Sequence, residues 1–348
     1  MMNRRPRAIP ITVSLLLLAS WTAAARAQEV TDPLLPDPRE MARIEAAIDR
    51  ALEYLAQEQR EDGSWPSQFG NNNGINAVCV LAFLGRGHAP GRGPYRHIVD
   101  RGIRFLLATQ DDSGLYKSVN PSHGPMYEHA LSTLALIEAY GFVPTPQMRK
   151  SVQQAIDLIV KSQAPVGGWR YHPVPRDADL SVTVMQIVAL RAAQNARLTV
   201  PEETLKRATA YVRACIHPRG GFAYQPGGGP APGRSAAGVL SLQLLGHYDD
   251  PGVVRGIEYV EKQRIHGRTS HLFYFVYYSM QAAFQAGGEH WQRWNPQVRD
   301  FLLEHQNDDG SWPGFSAQKY NGPSRCYSTA FSTIALEVYM HFLPAYQR

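Results

Sequence analysis

The sequence predicts an all-α fold, an α/α toroid (α6/α6 barrel) of six helical hairpins, on three observations. A turn signature, Gln-x-x-x-Gly with an aromatic residue two positions on, recurs six times with substitutions. Each copy follows an amphipathic segment and precedes one that is apolar nearly all round, the pattern of an outer helix paired with a helix buried on both sides. The last apolar segment, Ala330-Phe-Ser-Thr-Ile-Ala-Leu-Glu-Val-Tyr-Met-His-Phe-Leu, is as hydrophobic as the middle ones. An open solenoid needs a polar terminal cap there, and closure onto the first repeat removes that need.

With 348 residues, 44% hydrophobic and 19% charged, the chain has ample apolar surface for a core. Residues 1–27 read as a Sec signal peptide rather than structure: Arg4, Arg5 and Arg7 precede an apolar stretch containing Leu15 to Leu18, and Ala25-Arg-Ala27 fits a cleavage site. A periplasmic or secreted protein with no membrane span after cleavage is the expectation. Removing Arg4, Arg5, Arg7 and Arg26 leaves 31 Lys and Arg against 30 acids, so nothing in the charge points to nucleic acid. Residues 28–40, with Pro33, Pro36 and Pro38, read as an extended lead-in, and 41–348 as one toroid domain.

The signatures are Gln59-Arg-Glu-Asp-Gly63-Ser-Trp65, Gln110-Asp-Asp-Ser-Gly114-Leu-Tyr116, Gln163-Ala-Pro-Val-Gly167-Gly-Trp169, His217-Pro-Arg-Gly-Gly221-Phe-Ala223, Gln263-Arg-Ile-His-Gly267-Arg-Thr269 and Gln306-Asn-Asp-Asp-Gly310-Ser-Trp312. Their starts lie 51, 53, 54, 46 and 43 residues apart, the length of two helices with connections. Outer helices are predicted at 41–59, 98–110, 148–163, 201–215, 253–263 and 298–306, and inner helices at 75–84, 127–140, 180–194, 235–245, 271–285 and 326–342. Gly85, Gly141, Gly246 and Gly287 are placed to end four inner helices. The turn glycine suits positive φ, and the Gln amide and aromatic ring suit ties between repeats.

These turns resemble the QW motif of the prenyltransferase and squalene oxidase repeat group, which includes squalene-hopene cyclases, terpene cyclases and protein prenyltransferase β subunits. The resemblance covers essentially the whole mature chain, is similar in detail to exported planctomycete-type members, and implies an α/α toroid around a central cavity. It is specific for architecture rather than activity. Parallel inner helices would gather their N-termini, with free N–H groups and partial positive charge, at one mouth of that cavity.

Arg176-Asp177-Ala-Asp179-Leu-Ser181-Val-Thr183, beside that mouth, resembles the class II cyclase signature Asp-x-Asp-Asp-Thr-Ala. The resemblance implies that Asp179, at its middle position, is the acid that protonates an alkene, with Asp177 at the first position; Leu180 replaces the third Asp. The residues alone fit equally an N-cap at Asp179 for the helix from Leu180. His129 is a further catalytic candidate, as a base or as a polar group satisfied by its neighbours. Tyr127, Trp169, Tyr171, Tyr274, Tyr278 and Tyr327 are candidate substrate-binding residues, because aromatic faces stabilise cationic intermediates; packing alone accounts for them as well.

No metal or cofactor is expected. Asp111-Asp112, Asp249-Asp250 and Asp308-Asp309 sit in or near turns rather than in diphosphate–Mg²⁺ motifs, and the residues before Cys326, Ser324 and Arg325, break the zinc pattern of prenyltransferase β subunits. Cys79, Cys215 and Cys326 read as buried small hydrophobes. Three functions remain open: a terpenoid cyclase-like enzyme acting on an apolar isoprenoid, a non-catalytic envelope protein binding a lipid or partner, and a glycan lyase or hydrolase, which would need His129, His172, Arg176, Asp177 and Asp179 to converge on a groove.

Overall fold

The first helix, α1 (Pro38–Glu58), starts where the Asp37 carboxylate accepts the Arg39 and Glu40 amides at 2.9 and 3.1 Å and Pro38 occupies the first turn. The lead-in therefore stops at Asp37 rather than at residue 40, because the cap recruits three further residues into the helix. Ile44, Ile48, Leu52 and Leu55, at helical spacing, are fully buried. The computed structural model describes residues 35–68, 70–119, 121, 123–314 and 324–340, and Pro33–Arg348 is one compact unit. The expected signal peptide lies outside the described residues.

Outer helices α1, α3 (Arg96–Ala108), α5 (Pro146–Lys161), α7 (Glu202–Ala214), α9 (Pro251–Glu261) and α11 (Gly288–Glu304) alternate with inner helices α2 (Asn73–Gly85), α4 (Met126–Phe142), α6 (Leu180–Asn195), α8 (Pro232–Leu244), α10 (Leu272–Ala286) and α12 (Arg325–Leu336). Each inner helix packs against the next, and α12 packs against α2, which closes the ring. Every residue of α2 is buried, as its all-round apolar pattern requires.

Two boundaries depart from expectation. α11 begins at Gly288, ten residues before the predicted start, and carries Pro296 inside it; the buried Trp291 and Trp294 hold that extra length to the core. Of the four glycines expected as helix ends, Gly246 and Gly287 have the left-handed φ of a C-cap, whereas Gly85 and Gly141 lie within α2 and α4 and Gly87 takes the left-handed turn after α2.

The turn signature is a clamp between repeats. Gln59 Nε2 donates to Gly63 O in its own turn and to Ile98 O on α3; Gln110 joins Gly114 O to Ser151 O on α5; Gln163 joins Gly167 O to Thr204 O on α7. Gln306 makes the same pair, 2.9 Å to Gly310 O and 2.8 Å to Ala47 O on α1, so the sixth clamp fastens the end of the ring to its start. Trp65, Trp169 and Trp312 are fully buried and donate their indole N–H to Leu55 O, Ile159 O and Leu302 O on their own outer helices.

Where the signature decays, the clamp is lost. Gln263 Nε2 donates instead to Tyr259 O on α9, and the Gln position of the fourth turn falls on Ile216 rather than on His217 as the sequence alignment has it, because Ile216 bridges to Phe222 as Gln110 does to Tyr116. Ion pairs bridge the outer helices there: Arg213 to Asp250 at 2.8 Å, and Glu261 to His290 and Arg293 at 2.7 and 3.2 Å. Truncation of Gln306 to Ala should therefore cost about 1–3 kcal/mol, since it removes two hydrogen bonds at the ring closure, while Gln263→Ala should cost under about 0.5 kcal/mol. Urea unfolding of the two variants checks the difference.

Candidate active site

The frame of the mouth repeats like the fold. In five repeats the inner helix offers a polar side chain to the backbone N–H of the turn aromatic: Asn76 to Trp65 at 2.8 Å, His129 to Tyr116 at 3.2 Å, Thr183 to Trp169 at 2.9 Å, Ser235 to Phe222 at 2.9 Å and Thr329 to Trp312 at 3.0 Å. His129 is thus the second repeat's version of a structural position. It is fully buried, its Nδ1 accepts from Tyr116, and its Nε2 lies 3.1 Å from Ala155 O, so neither nitrogen is offered to a substrate. The expectation of a catalytic His129 gives way to this framework role.

Burial holds the His129 imidazole down at about 4, against an ordinary 6.5. A depressed histidine contributes stability above its unfolded value, and that contribution is lost as pH falls through the folded one. About 3 kcal/mol should disappear between pH 6.5 and 4. His129→Asn, which borrows the residue of the first repeat, should lack that loss, so that its denaturant midpoint rises relative to the wild type as pH falls from 6.5 to 4.

Trp169 also leaves the site: its ring is fully buried against its own outer helix. Asp177 is exposed and paired with Arg170 at 2.8 Å, and His172 and Arg176 are exposed. The polar convergence that a glycan groove needs does not form, because His129 and Asp179 are buried while the other three face outward.

Asp179 is different from all of these. It is fully buried and caps α6, with Oδ1 accepting the Val182 amide at 2.9 Å, while Oδ2 is buried without a hydrogen-bond partner. Burial raises its carboxyl to about 6; the Val182 amide, the Tyr224 hydroxyl and Arg170 pull only partly the other way. Cap and titrating acid are therefore roles of two different oxygens of one side chain.

Tyrosines surround it. The Tyr127 and Tyr274 hydroxyls are pushed up by burial first and by the Asp179 carboxylate second, and Tyr224 by burial, its bond to the Tyr171 hydroxyl and then Asp179. Tyr127 and Tyr171 have ring centres 6.0 Å apart. Tyr274 stacks at 4.5 Å on Tyr278, which is fully buried and backs it, and Tyr327 contacts Phe331, which meets Tyr277. Tyr127, Tyr171, Tyr274 and Tyr327 are partly exposed at the inner-helix starts.

Sequence reading missed Tyr224 and Arg170. Tyr224 stands two residues after Phe222 as Tyr171 stands two after Trp169, and both backbone carbonyls accept the first amide of an inner helix, Leu180 and Met126 respectively. The corresponding residues of the first two repeats are Ser67 and Ser118, so the turn does not itself require tyrosine. That contrast was available in the repeat alignment.

A family model for the prenyltransferase alpha-alpha toroid domain matches residues 96–342. The chain belongs to this family. Among curated members, the drimenyl diphosphate synthase of Streptomyces showdoensis is 27% identical over 194 residues, 55% of this chain and 34% of that protein. Lanosterol synthase erg7A of Aspergillus fumigatus is 31% identical over 159 residues, 42% of this chain and 20% of that protein. The chain thus spans a third or less of these relatives.

Among solved toroids, a variant of the type II terpene cyclase MstE from Scytonema, bound to geranylgeranyl dihydroxybenzoate, superposes with TM-score 0.60 at 14% identity, over 88% of this chain and 99% of that one. The cellobiose 2-epimerase of Bacillus thermoamylovorans reaches 0.64 at 13%, over 85% and 98%. Such likenesses establish the toroid. No helix among the described residues is long and apolar enough to cross a membrane.

Proposed function

We propose that this toroid is a class II terpenoid cyclase that starts ring closure by protonating an alkene of an apolar isoprenoid chain. The observation that carries the reading is Asp179: a fully buried carboxyl raised to about 6, with one oxygen spent on the helix cap and the other unbonded. A carboxylic acid held partly protonated near neutral pH can act as a general acid.

In the proposed step the Asp179 Oδ2–H bond breaks and a new C–H bond forms at the less substituted alkene carbon. The π electrons supply that bond, and the cation left on the more substituted carbon is attacked by the next double bond. Loss of a proton, either from carbon to form an alkene or from a captured water to form an alcohol, ends the sequence and balances the charge. The faces of Tyr127, Tyr171, Tyr274 and Tyr327 suit the passing cation.

The names of the drimenyl diphosphate and lanosterol synthases support the chemistry, and the export signal read at residues 1–27 would place it in the envelope, on a chain drawn from the membrane. The epimerase neighbour keeps sugar chemistry as the rival; paired-acid glycosidases require a second carboxylate, and Asp177, two residues from Asp179, is exposed and paired with Arg170. Incubation of the mature protein with acyclic prenyl substrates in D₂O tests the reading. A cyclised product carrying one deuterium at the protonated carbon supports it; recovery of bound, unchanged prenyl chain would identify a binding protein instead.

A further inference from the structure

The ring closes where α12 packs against α1 and α2, and α12 runs directly into a 3-10 turn, Glu337–Tyr339. Glu337 is 4% exposed, and it is the only acid among the described residues with both carboxyl oxygens buried and without a hydrogen-bond partner. Glu128 is as deeply buried, but Asn72 and Ser118 satisfy it with three bonds of 2.7–3.0 Å. Asp179 spends one oxygen on the α6 cap.

The repeat does not ask for an acid at this position. Glu337 stands eight residues after Thr329, whose hydroxyl holds the turn amide of the sixth repeat. The residues eight after Asn76, His129, Thr183 and Ser235, which hold the other turn amides, are Leu84, Ile137, Arg191 and Gln243. Leu84 and Ile137 are buried apolar side chains, and Gln243 Nε2 ties α8 to Ala282 O on α10 at 3.0 Å. Only the closing repeat places a carboxyl there.

Two charged groups among the described residues act on it, Arg86 just past the end of α2 and Asp49 on α1. The Arg86 guanidinium is engaged elsewhere, 3.0 Å from Asp49, 3.6 Å from Glu45 and 3.5 Å from the Met340 sulfur. Burial pushes the Glu337 carboxyl well above the ordinary range; Arg86 draws it down only in part, and Asp49 adds to the rise. A neutral carboxyl is tolerated in such a place, whereas an unpaired buried charge is not. Loss of the proton therefore favours a state in which Glu337 reaches water or Arg86, and that state needs the seam to part.

We propose that Glu337 is a pH-sensitive latch of ring closure: protonated, it lies inside the seam that joins α12 to α1 and α2; ionised, it leaves, and the seam opens locally while the rest of the ring stays folded. Because the carboxyl is held above its free value of 4.5, closure keeps the full contribution of Glu337 below that pH and loses it as pH rises toward the folded value. The latch stands apart from the cyclase reading and holds whether or not the mouth is catalytic.

Hydrogen–deuterium exchange from about pH 5 to 8 tests it, with Glu337→Gln as the reference that keeps the shape and cannot ionise. The ratio of wild-type to variant rates at each pH removes the pH dependence of exchange itself. At the amides of residues 333–339 this ratio should rise with pH, by up to about tenfold per unit for one proton released on opening. Because the opening is local, those amides should also exchange faster than the amides of α6 in the wild type, and low urea, which promotes global unfolding, should leave their rates unchanged. That second comparison needs no variant. A ratio that stays constant with pH, or seam amides that follow α6 in urea, would overturn the proposal.

Discussion

Replacing Asp179 by Asn should lower the rate of cyclisation by about 10²–10⁴ while leaving the fold intact, because the acid is removed and the helix cap is kept. Asn caps as well as Asp, and the Oδ1 bond to the Val182 amide has an equivalent acceptor in the amide side chain. Asp179→Ala removes both roles and should add about 1 kcal/mol of destabilisation. In the wild type kcat/KM should fall as pH rises above about 6, where the protonated fraction declines.

Stability should follow the same titration. The carboxyl is raised to about 6 from 3.8, so its contribution is complete below the unfolded value and is lost as pH climbs through the folded one. That amounts to about 3 kcal/mol between roughly pH 4 and 6, a loss that Asp179→Asn should not show. His129 has the opposite slope over the overlapping range, being held at about 4. The two nearly cancel in the wild type, and single variants should expose each limb in turn. Denaturant midpoints for both variants and the wild type from pH 4 to 7.5 measure this; an Asp179→Asn curve parallel to the wild type would remove Asp179 as a titrating group.

Gly310→Ala should destabilise the ring by about 2–5 kcal/mol. Gly310 has φ 84°, and a Cβ there would lie 2.3 Å from Arg50 O on α1. Left-handed backbone costs an L-residue about 1–2 kcal/mol, and the clash forces the sixth turn away from the first outer helix for about 1–3 kcal/mol more. The displaced turn also carries Gln306, whose bond to Ala47 O closes the ring. Gly220→Ala in the fourth repeat is the comparison: φ is 90°, but the nearest atom, Arg255 O, is 3.2 Å away, so about 1–2 kcal/mol from the backbone alone is expected. Urea midpoints of the two variants test the contrast, and an equal loss in both would show that closure is not specially sensitive.

The architecture was legible because it is written six times. A period near 50 residues, an apolar helix after each turn and an uncapped apolar end leave closure as the arrangement that buries every inner face, and α12 packing on α2 is that closure. That Asp179 caps α6 and that the tyrosines lie by the inner-helix starts was also legible, from their position after the turns. His129 and Trp169 were misread as site residues because polarity and aromaticity do not reveal direction. His129 points at the turn amide that Asn76 and Thr183 serve in other repeats, and Trp169 at Ile159 O.

Tyr224 escaped notice for a related reason. It precedes the Gly- and Pro-rich connection to α8 and is brought to Asp179 by the packing of neighbouring repeats, its carbonyl accepting the Leu180 amide, not by sequence proximity. Local pattern thus determined the helices, their inner and outer faces and the repeat that joins them, since burial of an apolar stripe depends on periodicity alone. Which of two oxygens on Asp179 holds the helix cap and which tyrosines stand around the carboxyl were decided only by tertiary structure. Burial, and with it the raised carboxyl, is a property of neighbours that no stretch of chain carries by itself.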